Sequence, residues 1–161
     1  MKGDAKVIEG LNEILTGELT GINQYFIHSM MCRNWGYKRL AEKDREESIG
    51  EMNHAEEIID RILHLEGIPN LTRLEKIRVG ERVTDQLQFD LDAENLAIGR
   101  FNRMIQVATA ASDNGTRQLL ERMLVSEEEH QQWLETQLAL IRQIGETNYL
   151  TQQIHTDQNN K

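Results

Sequence analysis

Glu51-Met52-Asn53-His54 decides how this chain is read, because its Glu-x-x-His spacing returns 76 residues later in Glu127-Glu128-Glu129-His130. A further glutamate stands 33 residues before each copy, Glu18 before the first and Glu94 before the second. The pairs Glu18/Glu94, Glu51/Glu127 and His54/His130 therefore share one offset. Residues three apart in a helix lie on one face, so each Glu-x-x-His can present a carboxylate and an imidazole to the same ion. Four carboxylates and two imidazoles in this two-fold pattern form a ligand set for a pair of iron or manganese ions inside a helical bundle.

The segments around these residues carry helical periodicity. Over residues 5–33 the apolar stripe is Val7, Leu11, Leu15, Ile22 and Tyr25, with Glu18 where a core side chain is expected. Asn34-Trp35-Gly36 makes a break. A second helix over 37–66 has Leu40, Ile58, Ile62 and Leu65 in its stripe, together with Glu47, Glu51 and His54, and ends at Gly67. A third, over 83–111, carries Leu87, Leu91, Glu94, Ile98, Phe101, Ile105 and Ala108. A fourth, over 116–144, carries Leu120, Met123, Glu127, His130, Leu134, Leu138 and Ile141. Ser112-Asp113-Asn114-Gly115 is the turn between these last two, with Thr116 as the expected cap.

Residues 67–82 lack helical periodicity and are too many for a hairpin turn. Extended chain covers ~3.3 Å per residue, so a dozen residues span the ~40 Å of a long helix, giving a four-helix bundle with one long crossover. A short helix over 147–155 and a polar tail over 155–161, expected to fray, complete the chain. Glu18 and Glu51 are equidistant from the Asn34–Trp35 bond, and Glu94 and Glu127 from Ala110–Ala111, so two hairpins each deliver a Glu/Glu/His triplet to mid-bundle.

The 161 residues suit a single domain, 28% charged and only 5% aromatic. A formal charge of −9 argues against nucleic acid as a general partner and favours cations. The one cysteine, Cys32, excludes a disulfide framework or a CxxC metal knuckle and fits a reducing compartment. The N-terminus reads as part of an amphipathic helix rather than a signal segment, and no apolar run is long enough to span a membrane. The expectation is a cytoplasmic helical protein.

An isolated glutamate in an apolar stripe is ordinarily a boundary residue, and an isolated histidine a hydrogen-bonded core group. Six such residues at one offset call for another account, since unpaired buried carboxylates cost several kcal/mol each. Few basic residues face inward to neutralise them; Arg61 and Arg103 are the nearest. Carboxylate plus imidazole without thiolate suits iron or manganese.

On these residues the chain resembles the bacterioferritins. The likeness runs through Met1-Lys2-Gly3-Asp4, Glu18-Leu19 with Ile22-Asn23-Gln24-Tyr25-Phe26, Glu47-Ser48-Ile49, and Glu51-Met52 with His54-Ala55. It continues through Ile62-Leu63, Leu65-Glu66-Gly67, Pro69-Asn70-Leu71, Glu127-Glu128 with His130, and Trp133 to Leu138. The resemblance implies a ferritin-like fold in which Glu18 and Glu94 are terminal iron ligands, Glu51 and Glu127 bridge, and His54 and His130 are terminal imidazoles. It implies a ferroxidase that uses O2 or H2O2 and a 24-subunit shell, built from two-fold dimers, that stores ferric mineral. The shell would contain this subunit alone or a second type as well. It also implies a haem b shared between two subunits through Met52 of each, reduced by a ferredoxin-type partner. From spacing alone, Met52 points about 100° from the metal stripe and, with Ile49 and Ile59, forms an outward apolar face that a two-fold dimer would bury.

Tyr25 reads either as packing or as an electron donor. Trp35 and Trp133 read as packing or interface, and Met30 and Met31 as interface or gap fillers. Where some bacterioferritins carry His and Asp on an inner iron site, this chain has Glu46 and Gly50, so only Glu46 and Glu47 could serve there. The alternative activity is a di-iron oxidase or peroxidase of rubrerythrin type without storage; rubrerythrins, however, carry an added CxxC iron module that this chain lacks.

Overall fold

The computed structural model describes residues 1–156, so most of the polar tail expected over 155–161 lies outside the described residues. Helix α1 (Ala5–Trp35) starts at Asp4, whose side chain accepts from the amides of Lys6 and Val7, and stops at Gly36 in the left-handed conformation at φ 89°. It is followed by α2 (Lys38–His64), α3 (Val83–Ala110), α4 (Asn114–Ile144) and α5 (Glu146–Thr151). Helix α1 packs on α2, α3 on α4, and α1 on α3. Among the described residues no helix is long and apolar enough to cross a membrane.

Three boundaries differ from the sequence reading, each for a local reason. Helix α2 ends at His64, and the left-handed residue is Glu66 at φ 62° rather than Gly67. Gly67 serves close packing instead, since a Cβ there would lie 2.7 Å from Cγ2 of Ile8. Helix α4 starts earlier, because Asp113 and not Thr116 is its cap; the Asp113 carboxylate accepts from the Thr116 amide at 3.0 Å and its hydroxyl at 2.7 Å. Helix α5 is shorter than 147–155, because the chain leaves it to dock on α2, where the Gln153 carbonyl accepts from the Arg39 amide at 3.0 Å.

Two apolar cores fill the bundle. One gathers Leu11, Leu15, Ile58, Ile62, Phe101 and Leu120; the other gathers Cys32, Leu40, Leu87, Leu134, Leu138 and Tyr149. Glu18, Glu51, Glu94 and Glu127 lie in the sequence interval between these sets on every helix, so the acids form a layer between two hydrophobic ends. The sets also fix direction. The ends of α2 and α3 meet in the first cluster, so these helices run parallel and residues 65–82 must return along the bundle.

That returning strap has no sheet to satisfy its backbone amides, which need acceptors once covered. Helix α1 supplies them from one polar stripe spaced every four residues. Asn12 Oδ1 accepts from the Asn70 amide at 2.8 Å, Thr20 Oγ1 from the Glu75 amide at 3.0 Å, Gln24 Oε1 from the Arg78 amide at 3.1 Å and His28 Nε2 from the Gly80 amide at 3.0 Å. Thr16 Oγ1 accepts from the Arg73 side chain at 3.0 Å. Because His28 Nε2 accepts, its proton sits on Nδ1, which faces Asp90 at 3.0 and 3.1 Å.

Replacing fully buried His28 with Leu strands the Gly80 amide and leaves the Asp90 carboxylate with only the Gln24 amide donating to it, at 2.8 Å. Such a change should cost about 2–4 kcal/mol in urea unfolding. Amide exchange at Gly80 should accelerate more than exchange in the α4 core; equal acceleration everywhere would contradict a local role for the strap bond.

Candidate dimetal centre

Each of the four long helices contributes at mid-length to one buried polar layer. Glu18 comes from α1, Glu51 and His54 from α2, Glu94 from α3, and Glu127 and His130 from α4. The four carboxylates are between 1% and 7% exposed, and His130 is 4% exposed. Ligand-capable atoms of Glu18, Glu51, His54 and Glu127 all lie within 4.8 Å of one another. His54 Nδ1 is 3.2 Å from Glu18 Oε2, 3.0 Å from Glu127 Oε1 and 3.8 Å from Glu51 Oε2. Alongside, His130 Nδ1 is 2.7 Å from Glu94 Oε1 and 3.6 Å from Glu47 Oε2. A hydrogen bond between Glu127 and Glu94 joins the two groups. The helices thus bring all six repeated residues together as two adjoining acid–imidazole sets.

Burial dominates the electrostatics. It lifts Glu51 well above the ordinary carboxylate range, and the neighbouring Glu18 and Glu127 push it further. Glu127 is lifted by burial first, then by Glu18 and Glu94. For Glu94 burial also pushes upward, but hydrogen bonds from Glu127, His130 and Tyr25 outweigh it and hold the group below its usual value. Burial alone would lower both imidazoles; the bond to Glu18 raises His54, and the bond to Glu94 raises His130.

The remaining coordination capacity is where a cation fits. Glu94 Oε2 and His130 Nε2 are buried without a hydrogen-bond partner in the protein, and Glu127 Oε1 makes no hydrogen bond, with the His54 imidazole 3.0 Å away. Buried polar atoms are seldom left so. Arg61 does not neutralise the cluster, because its guanidinium is bound to Asp113 at 2.6 Å and to Thr116 at 2.9 Å. Arg103 is exposed. Two divalent ions would supply the missing positive charge to a donor set of carboxylate oxygen and imidazole nitrogen, hard enough for iron or manganese.

The layer has neighbours outside the repeated set of six. The Tyr25 hydroxyl donates to Glu94 Oε1, and its ring meets the His130 ring edge-on with centroids 5.2 Å apart. Burial and the nearby carboxylates raise Tyr25 well above an ordinary phenol, so it remains protonated. Trp133 stacks on the other side of His130 at 6.2 Å, under the Lys43 ammonium. Glu47, which pairs with Lys43 at 2.6 Å, reaches the His130 side of the layer. Its place in the α2 stripe, one turn before Glu51, was the available signal.

Met52 is elsewhere. It is 50% exposed, as are Phe26 and, at 49%, Ile49. Ile59, expected on the same outward face, instead packs against the first apolar core.

A family model described as the ferritin-like domain matches residues 8–144. A bacterioferritin of Mycobacterium leprae is 48% identical over 152 residues, 94% of this chain and 96% of its own length. One of Streptomyces coelicolor is 48% identical over 158 residues, covering 98% and 95%. Another, of Brucella melitensis, is 44% identical over 149 residues, 92% of each chain. Similarity at this level over nearly the whole length, on a bundle that gathers the repeated acids and imidazoles, makes this chain a member of the bacterioferritin family.

Proposed function

We propose that this protein stores iron by oxidising Fe(II) at the mid-bundle centre and depositing the product as ferric mineral inside a cytoplasmic 24-subunit shell. The observation that carries this reading is the buried acid–imidazole layer with its unpartnered oxygen and nitrogen atoms. Glu18 and His54 hold one Fe(II), Glu94 and His130 the other, and Glu51 and Glu127 lie between them. Two Fe(II) ions give one electron each to O2, which takes two protons and leaves as H2O2. When H2O2 is the oxidant, a further pair of Fe(II) ions gives it two electrons and, with two protons, it becomes two waters. Tyr25, hydrogen-bonded to Glu94, is placed to supply a further electron when fewer than two Fe(II) are bound. The protein fixes the two metals side by side and offsets their added charge with carboxylates.

Met52 would be a residue holding haem b: its half-exposed thioether offers a soft ligand, and Ile49, three residues earlier on α2, is half-exposed as well, an apolar surface that a second copy would cover. The haem would supply one-electron transfer from a ferredoxin-type reductant to the mineral. A rubrerythrin-type activity finds less support, since Cys32 is buried and bonded to Gln86.

The electrostatics give a signed expectation for the metal-free protein. Glu51, Glu127, His54 and His130 all hold protons more tightly folded than unfolded. Their contributions are therefore present at low pH and are lost as pH rises through the raised folded values. Glu94 acts oppositely, but only below the ordinary carboxylate range. Between about pH 5 and 8 the metal-free protein should lose stability with rising pH, while affinity for Co(II) or Mn(II) increases as protons are displaced. Glu51→Gln should raise metal-free stability by at least ~1 kcal/mol and abolish binding of two ions per subunit. A metal-free melting temperature that rises across this range would refute the assignment.

The storage reading is tested by size and stoichiometry together. The native protein should elute at a few hundred kilodaltons, take two Co(II) per subunit and oxidise Fe(II) aerobically to a soluble ferric core. Met52→Leu should remove the low-spin haem absorbance and leave the initial Fe(II) oxidation rate within about twofold. A small dimer that accumulates no iron would exclude storage.

A further inference from the structure

On the side of the bundle between α1 and α3, a cavity of about 90 Å³ runs from under the strap to the four site carboxylates. Its outer rim carries Glu75, Lys76, Arg78, Asp92 and Arg100, and its floor Glu18, Glu51, Glu94 and Glu127. Gly17, Gly21, Ala93 and Ala97, with Thr20 and Gln24, line the passage between. Exposure falls along the same line, from 43% for the Arg78 side chain and 37% for Glu75 to 1% for Glu94.

The rim is closed by ion pairs. Arg100 of α3 pairs with Glu75 of the strap, and Arg78 with Asp92 at 2.8 Å. Glu75 is held in place because its amide donates to Thr20, and Arg78 because its amide donates to Gln24. The Arg78 guanidinium also lies 4.0 Å over the Phe89 ring. The Arg100 guanidinium rests against α1 where side-chain bulk is absent: a Cβ on Gly17 would lie 2.6 Å from its Nη1. Three cations thus surround two acids that are already paired.

Such a passage suits one class of reactant. A hydrated dication needs oxygen ligands to replace its water, yet the passage offers glycine and alanine, and its Thr20 and Gln24 side chains are already bonded to α1, the strap and Asp90, behind a rim of net positive charge. A small neutral molecule meets neither obstacle. The opposite flank differs, because Glu47, partly exposed, extends the carboxylates outward beside His130. We propose that the α1–α3 passage admits the oxidant, O2 or H2O2, to the centre, and that the Arg100–Glu75 pair is its gate and sets the size of peroxide accepted. This rests on the dimetal reading above.

Stopped-flow oxidation of bound Fe(II) by H2O2 and by tert-butyl hydroperoxide tests it, alongside the rate and stoichiometry of Co(II) uptake. The bulkier peroxide takes two electrons and two protons to give tert-butanol and water, so only access distinguishes the two reagents at the rim. Arg100→Ala, and more mildly Glu75→Gln, should raise the tert-butyl hydroperoxide rate relative to H2O2 by roughly threefold or more. Gly17→Leu should lower the second-order constant for H2O2. Co(II) uptake should keep its wild-type rate in the two opened variants. An unmoved peroxide ratio in both opened variants, or Co(II) uptake accelerated as much as oxidation, would overturn the assignment. Failure of the wild-type protein to take two Co(II) per subunit would instead remove the dimetal reading itself, and the gate with it.

Discussion

Negative charge confined between two apolar cores is the constraint on which the rest of this molecule depends. Glu18, Glu51, Glu94 and Glu127 are all nearly sealed from water, and the two imidazoles among them can neutralise only part of the cluster. Isolated buried carboxylates cost several kcal/mol, and the bundle meets that cost by protonation and internal hydrogen bonding. Both remedies are reversible. A bound metal ion would replace the protons, so the layer that is least comfortable without metal is the one best prepared to receive it.

Long, well-packed helices are needed to hold such a layer. On each helix, apolar residues several turns long stand on both sides of the acid, as Leu11 and Leu15 precede Glu18 and as Leu134 and Leu138 follow His130. The strap lets α2 and α3 run parallel, which places the two Glu-x-x-His turns in facing hairpins. Arg61, drawn to the α4 cap by Asp113 and Thr116, ties the hairpins together at one end and is thereby kept from the centre.

The helices and the six-residue layer were legible because both rest on periodicity, and a repeated offset survives without knowledge of the fold. Glu18 stands in an apolar stripe, and only the distance to its counterpart Glu94 makes that informative. Local chemistry that depends on the third dimension was not legible. Asp113 and Thr116 are both acceptable caps, and the choice turns on where Arg61 arrives. Gly67 looks like a stop, yet Glu66 takes the left-handed turn, and Gly67 is required instead because Ile8 leaves no room for a Cβ there. The i, i+4 stripe of Asn12, Thr16, Thr20, Gln24 and His28 was present in the sequence, but its meaning requires the extended strap lying beside it.

That stripe gives α1 an unusual occupancy. One side of the helix enters both hydrophobic cores and, between them, supplies Glu18 and Tyr25 to the centre; a second carries the strap, with Thr20 and Gln24 also walling the passage to the acids. A helix committed in two directions has little neutral ground on which substitutions can accumulate. Over geological time, α1 should drift more slowly than α4, whose outer surface answers to fewer neighbours within the subunit.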